Sequence, residues 1–237
     1  LVVRALYGLK SAGAAFRNHL ADCMDFLKYK PCLADPDLWY KAEVNPTNNH
    51  KYYSYVLLYV DDVLCIHHDG ESTIRIIDKY FTMKEGSIGD PDLYLGAKLR
   101  KTKLLNGVEA WATSPAKYVV EAVKNVESYL AKEYDGRKLK KKAGAPFIPG
   151  YRPELDLSPV LDSTQAQYYQ SLMGVLQWMV ELGRIDMITE VNIMASYVAM
   201  PREGHLDNIF HMFAYLKIKY NSRMVFDRSY PNIDMTD

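Results

Sequence analysis

The sequence predicts an α+β fold. Amphipathic helical patterns are interleaved with short hydrophobic stretches bounded by turn-forming residues, and two pairs of these stretches have the spacing of β-hairpins. Hydrophobic residues make up 49% of the 237 residues and charged residues 24%, which is enough apolar material for one substantial core or two modest ones. Helices mixed with hairpins in this order indicate the α+β class.

The first hairpin carries the residues of greatest interest. Apolar residues at helical spacing over 12–27 predict a helix, and a short strand is expected at 38–40. Residues 52–66 are mostly aromatic and aliphatic but are interrupted by Asp61 and Asp62. This pattern is typical of two buried strands around a tight turn.

The second hairpin is predicted around Asn106-Gly107, a sequence that favours a tight turn. A helical pattern over 74–81 precedes it. A longer helical pattern follows it, for which Ser114 is expected to be the N-cap and Pro115 a first-turn residue.

The C-terminal part is predicted to be helical after an irregular segment. Residues 134–162 combine a basic run with four prolines and show little periodicity, so they are interpreted as a linker or a long functional loop. Beyond residue 163, three stretches have apolar residues at helical spacing: 169–179, 188–198 and 206–216.

Charge and cysteine content limit the classes of function. Lys plus Arg and Asp plus Glu are both 29, so any nucleic-acid contact must come from a local basic patch. Cys23, Cys32 and Cys65 lack the paired spacing of a zinc site, which favours reduced thiols and an intracellular protein. No apolar run approaches about 20 residues, so no membrane partner is expected. The chain begins without Met and is interpreted as an excerpt of a longer polypeptide.

Two adjacent carboxylates at the tip of an apolar hairpin suggest metal-dependent chemistry. Two like charges so close disfavour joint ionisation unless a cation offsets them, and Mg²⁺ prefers a few carboxylates together with phosphate oxygens. Two-metal phosphoryl transfer uses such a pair. The alternative is that Asp61 and Asp62 simply form a solvated turn; the apolar strands on both sides favour the functional interpretation.

Several motifs resemble the reverse transcriptases of copia-type retrotransposons. Tyr59-Val60-Asp61-Asp62 matches the polymerase motif of that family, and an upstream block typical of copia-type elements is matched by Arg4-Ala5-Leu6-Tyr7-Gly8-Leu9-Lys10. Asp35-Pro36-Asp37 and Tyr94-Leu95-Gly96 are similar to further family blocks. So is Leu172-Met173-Gly174-Val175-Leu176-Gln177-Trp178.

The resemblance implies a polymerase organisation for the chain. Residues 1–113 would be a palm fragment, 114–133 a thumb-like helix, 134–162 a basic Pro-rich linker and 163–237 a helical connection region before an absent ribonuclease H domain. The implied reaction is RNA-directed DNA synthesis by two-metal nucleotidyl transfer, with Asp61 and Asp62 holding Mg²⁺ or Mn²⁺. The implied partners are a primed RNA or DNA template, deoxynucleoside triphosphates and the rest of a Pol polyprotein. The family implies a cytoplasmic virus-like particle, with the nucleus as the alternative.

Other residues are weaker candidates for substrate or primer contact. Tyr59 and Val60 adjoin the carboxylates, although packing within the hairpin explains Tyr59 equally well. Lys10 is a candidate phosphate contact, yet a single Lys is usually solvated. Leu95 and Gly96 would correspond to the primer grip of such polymerases.

A basic run is the candidate for contact with the nucleic-acid backbone through counterion release. A merely solvated run carries equal weight. The residues are Arg137, Lys138, Lys140, Lys141 and Lys142.

Two departures from the family support alternatives. Ser11 stands where the family commonly has a glutamine next to the incoming nucleotide, and the family's third metal-binding Asp comes from a strand upstream of Leu1. The isolated chain is therefore expected to be inactive or nearly so. One alternative is a non-catalytic, decayed or repurposed remnant that binds nucleic acid; another is an unrelated metal-dependent phosphohydrolase.

Overall fold

The computed structural model describes residues 12–60, 62–81 and 83–227. The chain divides into two compact units, with the boundary between Pro91 and Asp92. Helices and antiparallel strands are both present, which confirms the predicted α+β class. The functional labels palm, thumb, linker and connection stay predictions.

The first unit combines helices with an antiparallel sheet. Its described elements are α1 (Ala12–Phe26), β1 (Lys30–Pro31), β2 (Leu38–Val44), β3 (Lys51–Tyr59), β4 (Asp62–Ile66) and α2 (Gly70–Asp78). The strands form one sheet in the order β1-β2-β3-β4. The predicted first helix and first hairpin are confirmed, and the predicted short strand at 38–40 extends to Val44.

Strand β3 shows how this sheet separates its two faces. Side chains alternate between faces along a strand, and Ser54, Val56 and Leu58 are buried. On the other face Tyr53 and Tyr59 are 56% and 49% exposed. The buried face packs with both helices in a core of Leu20, Cys23, Met24, Tyr29, Trp39, Val56, Leu58 and Ile77. One face of the sheet is thus fixed in a core, and the tyrosines lie on the other.

The second unit has its own sheet and a larger helical core. Its described elements are β5 (Leu93–Tyr94), β6 (Ala97–Lys103), β7 (Glu109–Ser114), α3 (Ala116–Glu133), α4 (Ser163–Glu181), α5 (Ile188–Ala195), α6 (Glu203–Ile218) and β8 (Met224–Phe226), with short 3₁₀ turns at Pro153–Leu155 and Ile185–Met187. The strands pair antiparallel in the order β5-β6-β7-β8. Sequence reasoning missed β8, because three residues are too few to show a periodicity.

The start of α3 corrects one sequence-based expectation. Ser114 was expected to cap this helix, but it is the last residue of β7, and Pro115 occupies the N-cap position without a side-chain cap. The Ser114 hydroxyl instead donates a hydrogen bond to the carbonyl of Ser222 at 3.0 Å. The serine therefore ties the end of β7 to the residues that precede β8.

Helix α6 is the most deeply buried element of the second unit. Ten of its residues are buried, and three of these are polar: His205, Asn208 and His211. Buried polar groups need hydrogen-bond partners, and these three bind the backbone of the irregular segment 134–162. His205 Nε2 donates to the carbonyl of Pro153 and His211 Nε2 to that of Ala145, both at 3.1 Å.

Segment 134–162 is accordingly an ordered part of the second unit. The Ile148 amide donates to Asn208 Oδ1 at 3.1 Å, and Leu139, Ala143 and Leu161 are buried in the core. Whether the segment also separates two functional regions stays a prediction.

A half-buried ion pair, in which the Arg184 side chain is buried and the Asp186 side chain is 35% exposed, lies between α4 and α5. The Arg184 side chain is 1% exposed and donates two hydrogen bonds, of 2.8 and 2.7 Å, to the carboxylate of Asp186. The same carboxylate accepts a hydrogen bond of 3.0 Å from the Tyr215 hydroxyl. Burial alone would raise the pKa of Asp186, but the hydrogen bonds and charge of Arg184, with the hydroxyl of Tyr215, hold this pKa below its ordinary value.

We predict that Asp186→Asn destabilises the second unit by about 2–3 kcal/mol at neutral pH, because it leaves the Arg184 charge buried and uncompensated. The folded pKa of Asp186 is lowered, so its contribution is present above the unfolded pKa and is lost as pH falls through the folded pKa. Urea unfolding at neutral and acidic pH should therefore show a shallower acid loss of stability in the variant. Glu181→Gln, at an exposed carboxylate, is the control; an equal effect in both variants would contradict the assignment.

Candidate active site

The β3–β4 hairpin closes in the shortest common way. Tyr59 pairs with Asp62, so only positions 60 and 61 separate the strand ends. Two-residue hairpin turns require positive φ at central positions and usually contain Asn or Gly. Val60 has φ of +56°. Asp61 lies outside the described residues.

Val60 is a strained residue. A β-branched side chain in the left-handed region crowds its own backbone, which costs about 1–2 kcal/mol. The side chain is 74% exposed, so burial of Val60 itself does not offset this cost. Strained backbone of this kind concentrates at functional sites, which makes the turn a candidate site on geometry as well as on sequence.

Asp62 lies next to Tyr59 across the hairpin, and both are exposed. Within the described residues the Asp62 carboxylate has no hydrogen-bond or ion-pair partner, so its oxygens are available to a ligand. Carboxylate oxygens are the donors that a hard cation such as Mg²⁺ prefers. No cluster of three potential metal-ligating side chains occurs among the described residues. Asp61 does not belong to the described residues. The donor chemistry thus fits the predicted metal.

The loop before β2 is hydrogen-bonded to strand β3 of the hairpin. In the Asp35-Pro36-Asp37 block, the Asp37 amide donates to Asp35 Oδ1 at 3.0 Å, and the Asp37 carbonyl accepts the amide of Leu58 at 3.0 Å. The Asp37 carboxylate binds Arg17 of α1 at 2.6 Å. This block therefore joins α1 to the strand that carries Tyr59. Sequence reasoning missed Arg17, which no motif marks.

A second two-residue hairpin contains the other predicted primer-contact residues. Tyr94 pairs with Ala97, so Leu95 and Gly96 form the turn between β5 and β6. Their φ angles are +51° and +88°. Leu95, like Val60, is a bulky residue in the left-handed region. The predicted contact of this turn with a primer stays a prediction.

The predicted backbone-binding run separates into two kinds of residue. Arg137 makes a 2.7 Å ion pair with Asp207, and its guanidinium lies 5.2 Å from the ring centre of Phe210. Lys138 and 140–142 are exposed. Lys10 and Ser11 lie outside the described residues.

Comparisons with known proteins point to transposons. The chain is 24% identical over 216 residues to the retrovirus-related Pol polyprotein from transposon RE1 of Arabidopsis thaliana, which covers 90% of the chain and 13% of that protein. It is 20% identical over 219 residues to a Saccharomyces cerevisiae protein named after transposon Ty5-1, covering 89% of the chain and 62% of that protein. The chain is thus similar to a retrotransposon Pol-derived region.

The same comparisons set the limits of this similarity. The chain spans less than two thirds of the length of either relative. No protein-family model matches it, and no solved structure matches it. Among the helices that the structure describes, none is long and apolar enough to cross a membrane.

The strain at Val60 is testable by substitution. We predict that Val60→Asn stabilises the first unit by about 1 kcal/mol, because Asn tolerates positive φ and little burial is lost. Val44→Asn is the matched control: Val44 is 50% exposed in β2, where a β-branched residue suits the strand, so this change should destabilise. Hydrogen exchange of the β3 and β4 amides in the whole chain measures both effects. Equal destabilisation by both variants would show that Val60 is not strained.

Proposed function

We propose that this chain is the central part of an RNA-directed DNA polymerase of a copia-type retrotransposon. The observation that carries the proposal is the pairing of Tyr59 with Asp62 across the β3–β4 hairpin. Because of this pairing, the sequence Tyr59-Val60-Asp61-Asp62 lies where the two strands are joined. The buried face of that hairpin is held in the core of the first unit, while its tyrosine face is left open to a substrate. The similarity to transposon Pol polyproteins supports the same reaction class.

The proposed reaction is template-directed nucleotidyl transfer. The 3′-hydroxyl of a primer attacks the α-phosphate of a deoxynucleoside triphosphate, a new phosphodiester bond forms, and pyrophosphate leaves. Asp61 and Asp62 would hold Mg²⁺ or Mn²⁺, which when bound lowers the pKa of the attacking hydroxyl and stabilises the leaving oxygen. Tyr59 lies beside Asp62 on the open face and would contact the primer end. The pairing of β3 with β4 holds Tyr59 and Asp62 opposite each other in a fixed geometry.

Strand β4 offers a place for the rest of the proposed site. It is at the edge of the sheet formed by the described strands, so one row of its backbone hydrogen-bonding groups is free to pair with another strand. We propose that a strand of the Pol polypeptide pairs here and brings the third carboxylate that the family resemblance implies. The complete site would then combine residues of this chain with residues outside it.

We predict that Asp61→Asn reduces template-directed incorporation by the Pol polypeptide containing this segment by about a thousandfold, because several kcal/mol of metal-dependent stabilisation are lost. Primer extension on an RNA template with Mg²⁺ measures this, and circular dichroism checks the fold. Asp25→Asn, at an exposed carboxylate of α1, is the matched control and should retain activity.

Three outcomes would overturn the proposal. Unchanged extension in Asp61→Asn would remove the carboxylate from the reaction. Binding of primed template without extension by the unmodified polypeptide would favour the non-catalytic remnant. Template-independent release of phosphate would favour a phosphohydrolase.

A further inference from the structure

The second unit presents a cluster of lysines on a fixed backbone. We call residues 138–142 the basic segment; its charged members are Lys138, Lys140, Lys141 and Lys142. All four lysines are exposed, whereas Leu139 and the adjoining Ala143 are 7% and 5% exposed and belong to the hydrophobic core. The apolar side chains thus hold the backbone against the core while the lysines extend into solvent.

Both ends of the basic segment are attached to helix α6. On the N-terminal side, Arg137 pairs with Asp207 at 2.7 Å and lies over Phe210. On the C-terminal side, the carbonyl of Ala145 accepts a hydrogen bond from His211 Nε2 at 3.1 Å. A backbone held at both ends loses little conformational entropy when its side chains bind a ligand.

The charge of the segment is not neutralised locally. Within the described part of the chain, none of the four lysines has a carboxylate at ion-pair distance, although the chain as a whole has a formal net charge of zero. Four adjacent ammonium groups on such a protein create a local positive field, which attracts polyanions.

We propose that the basic segment binds the sugar-phosphate backbone of a nucleic acid. Arg137 is then a positioning residue, since its guanidinium is engaged with Asp207 and the Phe210 ring. The proposal rests on the proposed function for the class of ligand, a primed template, but it requires neither catalysis nor a metal ion. It also separates the five basic residues into four contacts and one support.

Two other anionic partners fit the segment less well. A membrane-surface site combines basic residues with exposed apolar side chains that enter the bilayer, but the apolar residues here, Leu139 and Ala143, are buried. A protein interface needs a desolvated core with aromatic or aliphatic residues, and the lysines offer only solvated charge. A regularly charged backbone requires neither feature.

The salt dependence of binding tests the proposal in the whole chain. Replacing the four lysines of the basic segment by Gln should weaken binding to a labelled RNA–DNA hybrid by at least about tenfold at low salt. The slope of log K against log salt should fall by about 0.9 for each lost phosphate contact. EDTA is present and nucleotides are omitted, so binding is measured without catalysis. The control replaces four other exposed lysines of the second unit by Gln: Lys117, Lys124, Lys132 and Lys219.

Arg137→Gln separates positioning from contact. It should weaken binding without changing the salt slope, whereas a direct phosphate contact would reduce the slope by about one. Arg137→Lys should partly restore binding, because a cation again faces Asp207.

Each outcome has a defined meaning. An unchanged salt slope in the four-lysine variant, or an equal change of slope in its control, would overturn the proposal. The proposal would also fail if the four-lysine variant lost binding to anionic phospholipid vesicles but bound the hybrid normally. Loss of slope in the four-lysine variant alone, in a polypeptide without polymerase activity, would support the binding surface while the proposed function failed.

Discussion

Register in the β3–β4 hairpin is the constraint on which the candidate site depends. Because side chains alternate along a strand, a shift of one residue would move Val56 and Leu58 into solvent and the tyrosine face into the core. Burial of these apolar side chains against α1 and α2 opposes that shift. It therefore keeps Tyr59 and Asp62 on the open face. The left-handed backbone of Val60 follows from the same register, since only two residues close the turn. Burial of Val56 and Leu58 in the core offsets the conformational cost at Val60.

The second unit fixes its Pro-rich, basic segment by burying polar groups as well as apolar ones. Segment 134–162 contributes the apolar residues Leu139, Ala143 and Leu161 to the core. Helix α6 supplies His205, Asn208 and His211, whose hydrogen bonds go to the backbone of that stretch. Polar side chains on a buried helix would be costly without partners. Here the backbone of the segment forms a hydrogen bond with one polar atom of each of these three side chains. The same contacts fix the backbone that carries the lysines of the basic segment.

Elements with a clear hydrophobic period were predictable from the sequence, whereas features that depend on distant partners were not. The first hairpin and α4 follow directly from apolar spacing. Strand β8 is formed by pairing with β7. Ser114 is not the predicted helix cap, because its hydroxyl donates a hydrogen bond to the distant carbonyl of Ser222. In the candidate site, the motif indicated Asp62, but the strain at Val60 arises from backbone geometry. In the second unit, the engagement of Arg137 by Asp207 arises from a tertiary contact. No local pattern encodes either.

The edge position of β4 links stability to the proposed chemistry. Val63, Leu64 and Cys65 are only partly buried on a strand whose outer row of hydrogen-bonding groups faces no described strand. Such an edge is prone to pair with other chains, so a strand that covered it would stabilise the first unit. A strand placed there would also lie next to Asp62, where the proposed reaction requires a further carboxylate. One added strand would therefore cover this edge and complete the proposed metal site.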